Sequence, residues 1–304
     1  MPQLIPIIIT GPTAGGKSDI AEQVCDALDG VIINADSLQV YKGLPELTAQ
    51  PVIQEGRHVL YNYFEPDDKC DVVRWVGLVQ EATAQAQSMG KQPIIVGGTG
   101  FYLKVLMEGI APIPDVPNDV MQRAEAIIQT QGIDALYQDL KAKDPNLPKH
   151  LRVTDIHRTM RAWTVLEATG KPLQEWYQLQ QPMTDRFIKV LCSHDREILY
   201  HRINQRFVSM WKNGITNEVQ VFRTTYHDIN NNYAAKAIGF DEVEAYLDGR
   251  LTESLAIEQA QTKTRHYAKR QLTWSRHQFD ADIVLDEPQF NVDKLLMFCH
   301  NSGM

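Results

Sequence analysis

An eight-residue glycine-rich segment constrains the fold more than any other part of the chain. The segment GPTAGGKS, Gly11 to Ser18, follows an apolar run from Leu4 to Thr10 and precedes an amphipathic stretch from Asp19 to Leu28. A buried strand, a glycine-rich turn and a helix in this order form a phosphate-binding loop, because backbone N–H groups at the helix start point at the anion. The segment therefore predicts a site for a diphosphate or triphosphate.

The residue types of this loop suit phosphate binding. Gly11 and Gly16 permit backbone conformations that point amide groups inward, Lys17 brings a charge to the outer phosphates, and Ser18 is placed to hold Mg²⁺. The alternative is a helix-capping turn that binds no ligand. The agreement with the phosphate-loop motif over eight positions, with a strand before it and a helix after it, disfavours this alternative. The predicted diphosphate-binding residues are Gly11, Pro12, Thr13, Ala14, Gly15, Gly16, Lys17 and Ser18.

Short apolar segments rich in branched residues predict the strands of a parallel sheet. They span residues 31–35, 93–96 and 187–192, with a possible last strand at 282–285. Each of the first three runs into a polar or glycine-rich turn, which is where ligands meet an open α/β sheet. Lys17, Asp36 and Thr99 are therefore expected at one edge of the sheet.

The organisation changes at Ala111 to Pro117, where three prolines in seven residues mark a linker. Three segments with helical spacing follow, at 120–131, 134–143 and 156–169, and strand-like runs are absent until Phe187. We predict an α/β fold, a P-loop NTPase-like parallel sheet core with helices on both faces and an all-helical insertion domain. The core would comprise residues 1–114 and 186–304, and the insertion residues 115–185.

The charge distribution leaves two interpretations open. A net charge of −8 argues against a general polyanion binder, yet residues 149–161 and 259–279 are basic tracts within this acidic chain. Each tract is either a nucleic-acid-facing surface or a solvated helix face. Their basic residues are Lys149, Arg152, Arg158 and Arg161 in the first and Lys263, Arg265, Lys269, Arg270 and Arg276 in the second.

The remaining composition fits an ordinary globular protein of the reducing cytosol. Four widely separated cysteines suggest neither a zinc site nor a disulfide framework, and the apolar run Leu4 to Ile9 is too short for a membrane span. We expect no membrane partner and a monomer.

Arg202 and Arg206 lie one turn apart in a predicted helix that begins near Asp195, so they either clamp a pyrophosphate or form ordinary exposed ion pairs.

Five stretches together resemble the tRNA dimethylallyltransferase family. The resemblance runs from residue 5 to about residue 276, in matching order and spacing. It implies transfer of a dimethylallyl group from dimethylallyl diphosphate to N6 of the adenosine beside the anticodon, position 37, in tRNA, with release of pyrophosphate. The implied cofactor is Mg²⁺. The stretches are GPTAGGKS at 11–18, ADSLQVYKG at 35–43, PIIVGGTGFYLKVLMEG at 93–109, LYHRINQRF at 199–207 and TRHYAKRQLTW at 264–274.

The resemblance also assigns roles to residues. Asp36 would be the base that removes a proton from the adenine amine, a poor nucleophile. Arg206 would stabilise the departing pyrophosphate, and Thr99 would lie near the adenosine. The anticodon stem-loop of tRNA would contact Asp36, Ser37, Leu38, Gln39, Thr99, Arg123, His157, Arg158, Arg161, Lys269, Arg270, Gln271, Trp274 and Arg276, with the insertion gripping the stem.

Two departures from the family pattern stand out. The segment LPELTAQP, residues 44–51, replaces the usual MDIGTAKP, and Met121 occupies the place of an arginine whose tRNA contact we carry to Arg123. Three other functions compete with tRNA prenylation. They are a small-molecule kinase with the same loop, an adenylate isopentenyltransferase with a free nucleotide as acceptor, and a non-enzymatic RNA-binding module.

Overall fold

The computed structural model describes residues 4–148, 151–182, 186–227, 232–286 and 292–301, and the chain divides into two compact units. The first unit comprises Met1–Met107 and Thr184–Met304, and the second comprises Glu108–Met183. Each unit has its own hydrophobic core, as expected of a compact body.

The first unit is built on a six-stranded sheet in which every strand pair is parallel. The strand order is β3-β2-β4-β1-β5-β6, so β1 lies between β4 and β5. Ile7, Ile8 and Ile9 of β1 are all fully buried, although alternate residues of a strand point to opposite faces. The strands are β1 (Ile7–Thr10), β2 (Gly30–Asn34), β3 (His58–Val59), β4 (Gln92–Val96), β5 (Ile188–Ser193) and β6 (Ile283–Asp286).

Helices cover both faces of the central strands β1, β2 and β4, in which every residue is buried. Twelve α-helices lie in the described ranges of the two units. They are α1 (Lys17–Leu28), α2 (Val72–Ser88), α3 (Gly100–Glu108), α4 (Asn118–Gln131), α5 (Ile133–Lys143), α6 (Ile156–Thr169), α7 (Leu173–Tyr177), α8 (Arg196–Asn213), α9 (Ile215–Thr225), α10 (Phe240–Leu247), α11 (Glu253–Gln278) and α12 (Val292–Asn301).

The packing on the sheet follows the alternation of its side chains. Ile7 and Ile9 belong to a cluster with α1 and α12. Trp75 of α2 is fully buried, and its indole N–H donates to the carbonyl oxygen of Asn34 at 3.0 Å. The α/β, P-loop NTPase-like fold predicted from the sequence is confirmed.

The second unit is helical in its described part. Leu136 and Leu140 of α5 and Trp163 of α6 form the centre of its core. The indole N–H of Trp163 donates to Asp139 at 2.6 Å, which satisfies the polar atom of a buried ring. No helix of either unit, over the residues described, is long and apolar enough to cross a membrane.

Candidate active site

The glycine-rich loop connects β1 to α1 at the carboxyl edge of the sheet. Gly16 adopts a left-handed conformation, with φ of 71°, directly before the first residue of α1. At Gly11 a side chain is excluded, because an added Cβ would lie 2.5 Å from the carbonyl oxygen of Cys192 in β5. The loop therefore passes close to the neighbouring strand before the helix begins, and its amides lie at a helix N-terminus suited to an anion.

Lys17 points back over the loop. Its Nζ donates to the carbonyl oxygen of Pro12 at 2.8 Å. Burial lowers the pKa of Lys17 to about 8; the Asp36 carboxylate acts against this shift, and the Arg206 guanidinium acts with it. A bound diphosphate would supply the negative charge that restores the ammonium form.

Two residues distant in sequence hold Thr13 of the loop in place. Arg206 of α8 donates to the Thr13 hydroxyl at 2.5 Å, and the Gln271 side-chain oxygen accepts from the Thr13 N–H at 2.7 Å. Arg202, one turn before Arg206, instead lies against His194, with Nη1 and Nε2 separated by 3.0 Å. Arg206 therefore reaches the loop through Thr13.

Asp36 follows β2 and forms a turn with the residues after it. Its Oδ1 accepts from the N–H of Leu38 at 2.9 Å and from that of Gln39 at 3.4 Å, a local pattern that aspartate favours in turns. Asn34 orients the same segment, because its Oδ1 accepts from the Asp36 N–H at 2.9 Å. Within the described ranges no donor bonds to Oδ2, so this oxygen can accept a proton.

Thr99 lies between β4 and α3, next to the Asp36 turn. Its hydroxyl oxygen accepts from the N–H of Ser37 at 3.1 Å. The preceding Gly97 packs so closely on Ala35 that an added Cβ would collide with the Ala35 backbone. The two strand ends thus approach each other closely enough for Thr99 to reach Ser37.

These residues form one electrostatic group. Burial lowers the pKa of Arg206, and the Asp36 carboxylate opposes this shift, as it does for Lys17. Burial raises the pKa of Tyr267 in α11, and the same carboxylate adds to that effect. Asp36 therefore lies within electrostatic range of both cations that face the phosphate loop.

The segment after Asp36 is fixed by hydrogen bonds to its backbone. The Gln39 amide nitrogen donates to the carbonyl oxygens of Thr48 and Ala49, at 2.8 and 3.0 Å. From α9, the Glu218 carboxylate accepts from the N–H groups of Glu46 and Leu47, both at 2.8 Å. The amide donors of Gln39 are thus already engaged, which leaves its oxygen for a ligand.

The helix α11 has an inner and an outer face. Gln271 is buried, and its nitrogen donates to the carbonyl oxygen of Gly98 at 2.9 Å, so this residue holds the loop instead of lying on the outer face. Trp274 is half-buried and packs on Gly100, and no described residue accepts from its indole N–H. A cleft of about 530 Å³ is lined by His266, Lys269, Arg270, Thr273, Trp274, His277 and Gln278.

Only part of the second basic tract is available on that outer face. Lys263 pairs with Glu242 and Asp241, and Arg265 bonds to Asn204. Lys269, Arg270 and Arg276 are exposed, and none of them forms an ion pair with the described part of the chain. These three form the basic face of α11.

In the second unit the residues predicted to contact tRNA lie on exposed positions of α4 and α6. Arg123 pairs with Glu167 at 3.2 Å, and Arg158 pairs with Asp155 at 3.3 Å. His157 and Arg161 are exposed without an ion pair to described residues. Lys149 of the first basic tract lies outside the described residues.

A magnesium ion fits this site as a partner of the diphosphate. The described residues contain no group of three or more His, Cys, Asp or Glu side chains that could hold a metal. Ser18 is exposed at the start of α1 and can supply one hydroxyl ligand. Mg²⁺ commonly takes few protein ligands and completes its shell with phosphate oxygens and water.

Among four residues that organise the site, sequence reasoning missed three and assigned the fourth, Gln271, only to tRNA contact. Asn34 orients Asp36, Tyr267 lies beside Thr99, Gln271 anchors Thr13, and Glu218 holds the loop after the turn. Tyr267 and Gln271 are in the TRHYAKRQLTW stretch, and their spacing of one helical turn was an available signal. Glu218 belongs to an ordinary amphipathic helix and gave no signal.

The chain was compared with known proteins. The IPP transferase family model matches residues 39–278. A tRNA dimethylallyltransferase from Rhodospirillum centenum is 42% identical over 288 residues, which cover 92% of this chain and 91% of that protein. One from Sinorhizobium medicae is 38% identical over 280 residues, 90% of this chain and 92% of that protein.

Solved structures agree in fold over nearly the whole chain. A tRNA isopentenylpyrophosphate transferase from Bacillus halodurans is 28% identical with a TM-score of 0.68, over 98% of this chain and 95% of that one. A eukaryotic dimethylallyltransferase acting on tRNA is 26% identical with a TM-score of 0.83, over 98% of this chain and 78% of that one.

Proposed function

The chain belongs to the IPP transferase family, and on this premise we propose that it is a tRNA dimethylallyltransferase. It transfers a dimethylallyl group from dimethylallyl diphosphate to N6 of the adenosine adjacent to the anticodon, position 37, and releases pyrophosphate. The observation that carries the proposal is that the Asp36 carboxylate, whose Oδ2 has no donor among the described residues, lies within electrostatic range of Lys17 in the phosphate loop and of Arg206 beside it.

Asp36 is the general base of this reaction. The N6–C1 bond forms as the C1–O bond to the diphosphate breaks, the pyrophosphate leaves with the electron pair, and the amine proton passes to Asp36. The Leu38 N–H fixes Oδ1, so that Oδ2 can face the amine. A base placed in this way lowers the barrier for a nucleophile whose lone pair is delocalised into the purine ring.

The phosphate loop stabilises the leaving group. Lys17, Arg206 and the loop amides surround the position in which negative charge accumulates, and half-burial strengthens their electrostatic effect. A magnesium ion held by Ser18 and the diphosphate would add Lewis-acid stabilisation of the same charge. Arg206 is already oriented by its bond to Thr13, so little reorganisation is needed.

The acceptor is a nucleobase taken out of its stack. Extrusion costs little energy in a single-stranded anticodon loop, where Ser37, Leu38 and the Gln39 oxygen are placed to contact the base. The basic face of α11 and the exposed cations of α4 and α6 supply phosphate contacts. We infer in addition that the enzyme is a monomer and that it is cytoplasmic. Sedimentation would check the monomeric state.

An acceptor competition tests the function. The protein is incubated with Mg²⁺, dimethylallyl diphosphate labelled in the prenyl group and either unmodified tRNA or adenosine monophosphate. Label on the tRNA, located at position 37 by nuclease digestion, is expected, and a tRNA with guanosine at that position is the control. Label on the mononucleotide alone would indicate an adenylate isopentenyltransferase, and phosphoryl transfer from ATP would indicate a kinase.

A further inference from the structure

Glu218 of α9 lies outside the set of residues that the proposed reaction uses. Its two carboxylate oxygens accept from backbone N–H groups that are distant in the chain, Oε1 from Glu46 and Oε2 from Leu47, both at 2.8 Å. The side chain is half-buried. Bonds between a carboxylate and backbone donors are stronger than bonds between neutral groups, so this contact links α9 firmly to the segment after Asp36.

The two N–H groups belong to the start of a helical turn. Residues 44–50, here called the 44–50 loop, contain three N–H groups that donate to carbonyl oxygens three to five positions earlier. The first N–H groups of such a turn have no partner within it. In the 44–50 loop these are the N–H groups of Glu46 and Leu47, because Pro45 has none. Glu218 therefore supplies the partners that the loop itself does not provide.

The carbonyl side of the same loop holds the Gln39 side chain. The Gln39 amide nitrogen donates to the carbonyl oxygens of Thr48 and Ala49, at 2.8 and 3.0 Å. A flipped amide would place its oxygen against these two carbonyl oxygens, which accept and cannot donate. The backbone of Gln39 is held separately, since its carbonyl oxygen accepts from the Asn62 N–H at 3.1 Å. The 44–50 loop thus decides in which direction the Gln39 oxygen points.

The loop depends on the bonds to Glu218 to keep this arrangement. Ala49 has a left-handed conformation, with φ of 53°, which is unfavourable for a residue with a Cβ. Leu44 and Leu47 are buried and hold the apolar side of the loop in place. Loss of the carboxylate would therefore shift the carbonyl groups that face Gln39 without unfolding the loop.

We propose that Glu218 is a positioning residue for the acceptor, which through the 44–50 loop directs the Gln39 amide oxygen toward the extruded base. This inference rests on the proposed function. An oxygen in that place accepts from the N6 amine of adenine and disfavours guanine, which carries an oxygen at the same ring position. Glu218 touches neither substrate in this scheme. Its loss should therefore weaken the preference for adenosine and leave use of the diphosphate unchanged.

Equilibrium binding of two tRNAs tests the inference, one with adenosine and one with guanosine at position 37. The unmutated protein should bind the adenosine form about tenfold more tightly. Glu218→Ala should reduce this preference to about twofold, with KM for dimethylallyl diphosphate within about twofold of the original value. Glu218→Gln, whose amide oxygen can accept from one of the two N–H groups, should keep an intermediate preference of about fivefold.

A Gln39→Ala background separates positioning from a general effect on folding. In that background Glu218→Ala should have no further effect on the preference, because the oxygen that Glu218 directs is gone. Glu46→Gln is the matched control, since it removes a carboxylate from the same loop and keeps the backbone N–H. The Glu46 side chain accepts from the Asn213 amide at 3.2 Å, which a glutamine oxygen can also do. This variant should leave the preference within about twofold.

Two results would overturn the inference at once. They are an unmutated protein with no preference for adenosine, and a Glu218→Ala protein with a lower melting temperature but an unchanged preference. Equal losses with and without the Gln39 side chain would overturn it as well. If Glu218→Ala does not fold, Glu218→Gln decides by the same criteria. An unmutated protein that transfers no prenyl group to tRNA would instead count against the proposed function.

Discussion

At the sheet edge of the first unit, Lys17, Asp36 and Arg206 are half-buried and interact electrostatically with one another, whereas in the second unit Arg123, Arg158 and Arg161 are exposed on helices. In the first group each side chain has a fixed partner, such as Thr13 for Arg206. In the second group the partners are surface carboxylates or solvent.

This difference indicates two kinds of contribution to one reaction. Charges in a partly buried, preorganised group act strongly on a developing charge, because they need not reorganise. Exposed cations gain little from any one contact and act through the salt-dependent attraction of a polyanion. Substitutions at the sheet edge should therefore affect turnover or use of the diphosphate, and substitutions on exposed faces should affect tRNA affinity.

The largest effect is expected at Asp36. Asp36→Asn keeps an oxygen that can accept from the Leu38 N–H, so the turn is retained while the base is lost. We expect kcat to fall by about two to four powers of ten, with tRNA affinity within about threefold. Single-turnover transfer and filter binding measure the two quantities. Asp71→Asn, at a helix cap where the carboxylate accepts from the N–H of Arg74, should leave turnover unchanged; similar losses in both variants would remove Asp36 from the mechanism.

Arg206 comes next. Arg206→Ala removes a charged donor at the phosphate loop and should lower kcat/KM for dimethylallyl diphosphate by about a hundredfold, without changing tRNA affinity. Steady-state kinetics with varied diphosphate give this value. Arg202→Ala, one turn away and against His194, should cost less than about tenfold. Loss of tRNA affinity alone in the Arg206 variant would contradict the assignment.

The pH dependence of diphosphate use separates the buried lysine from the exposed cations. Because the pKa of Lys17 is lowered to about 8 in the free protein, the ammonium is lost as pH rises through that value, and kcat/KM for the diphosphate should then decline. The limiting slope is about tenfold per pH unit. Lys17→Arg should remove this decline up to about pH 10, whatever its absolute activity. An alkaline decline that persists in Lys17→Arg would assign it to another group.

The basic face of α11 should behave differently. Replacement of both Lys269 and Arg270 by glutamine should weaken tRNA binding about tenfold and reduce the slope of log affinity against log salt by about one unit per lost phosphate contact. Titrations at several salt concentrations measure both. Lys91→Gln, which removes a half-buried lysine paired with Asp29, is the control. An unchanged slope would mean that this face is simply solvated.

The smallest effects are expected in the second unit. Arg161 has no ion pair to described residues, whereas Arg123 is paired with Glu167. Arg161→Gln should therefore weaken tRNA binding about two- to fivefold, and Arg123→Gln less than about twofold. The same titrations compare them. A larger loss at Arg123 would show that its pairing with Glu167 is given up on binding.

Much of the fold could be predicted from the sequence because its local patterns agree with its topology. Buried parallel strands are continuous apolar runs, so β1, β2, β4, β5 and β6 were found to within a few residues. The exception is β3, whose two residues His58 and Val59 are too few to form a pattern. Helix α6 was predicted with its observed bounds, since Asp155 caps its start and Gly170 ends it.

The site could be predicted in its parts but not in its connections. The loop motif indicated Lys17, and the ends of strands indicated Asp36 and Thr99. Contacts such as Gln271 to Thr13 join residues separated by 258 positions, and no local pattern specifies such a partner. The tRNA contact of Gln271 was carried over from the family resemblance and stays a prediction; in the helix its buried side chain faces Thr13 and Gly98, and no local pattern indicated these partners.

The bonds from Glu218 to the segment after Asp36 bear on which substitutions that segment tolerates. They end on the N–H groups of positions 46 and 47, which every amino acid except proline possesses. These two bonds therefore do not depend on which side chains stand at positions 46 and 47, although the Leu47 side chain is itself buried. An exchange of Glu46 for any residue but proline should thus keep the loop after Asp36 tethered to α9, as long as the carboxylate of Glu218 is retained.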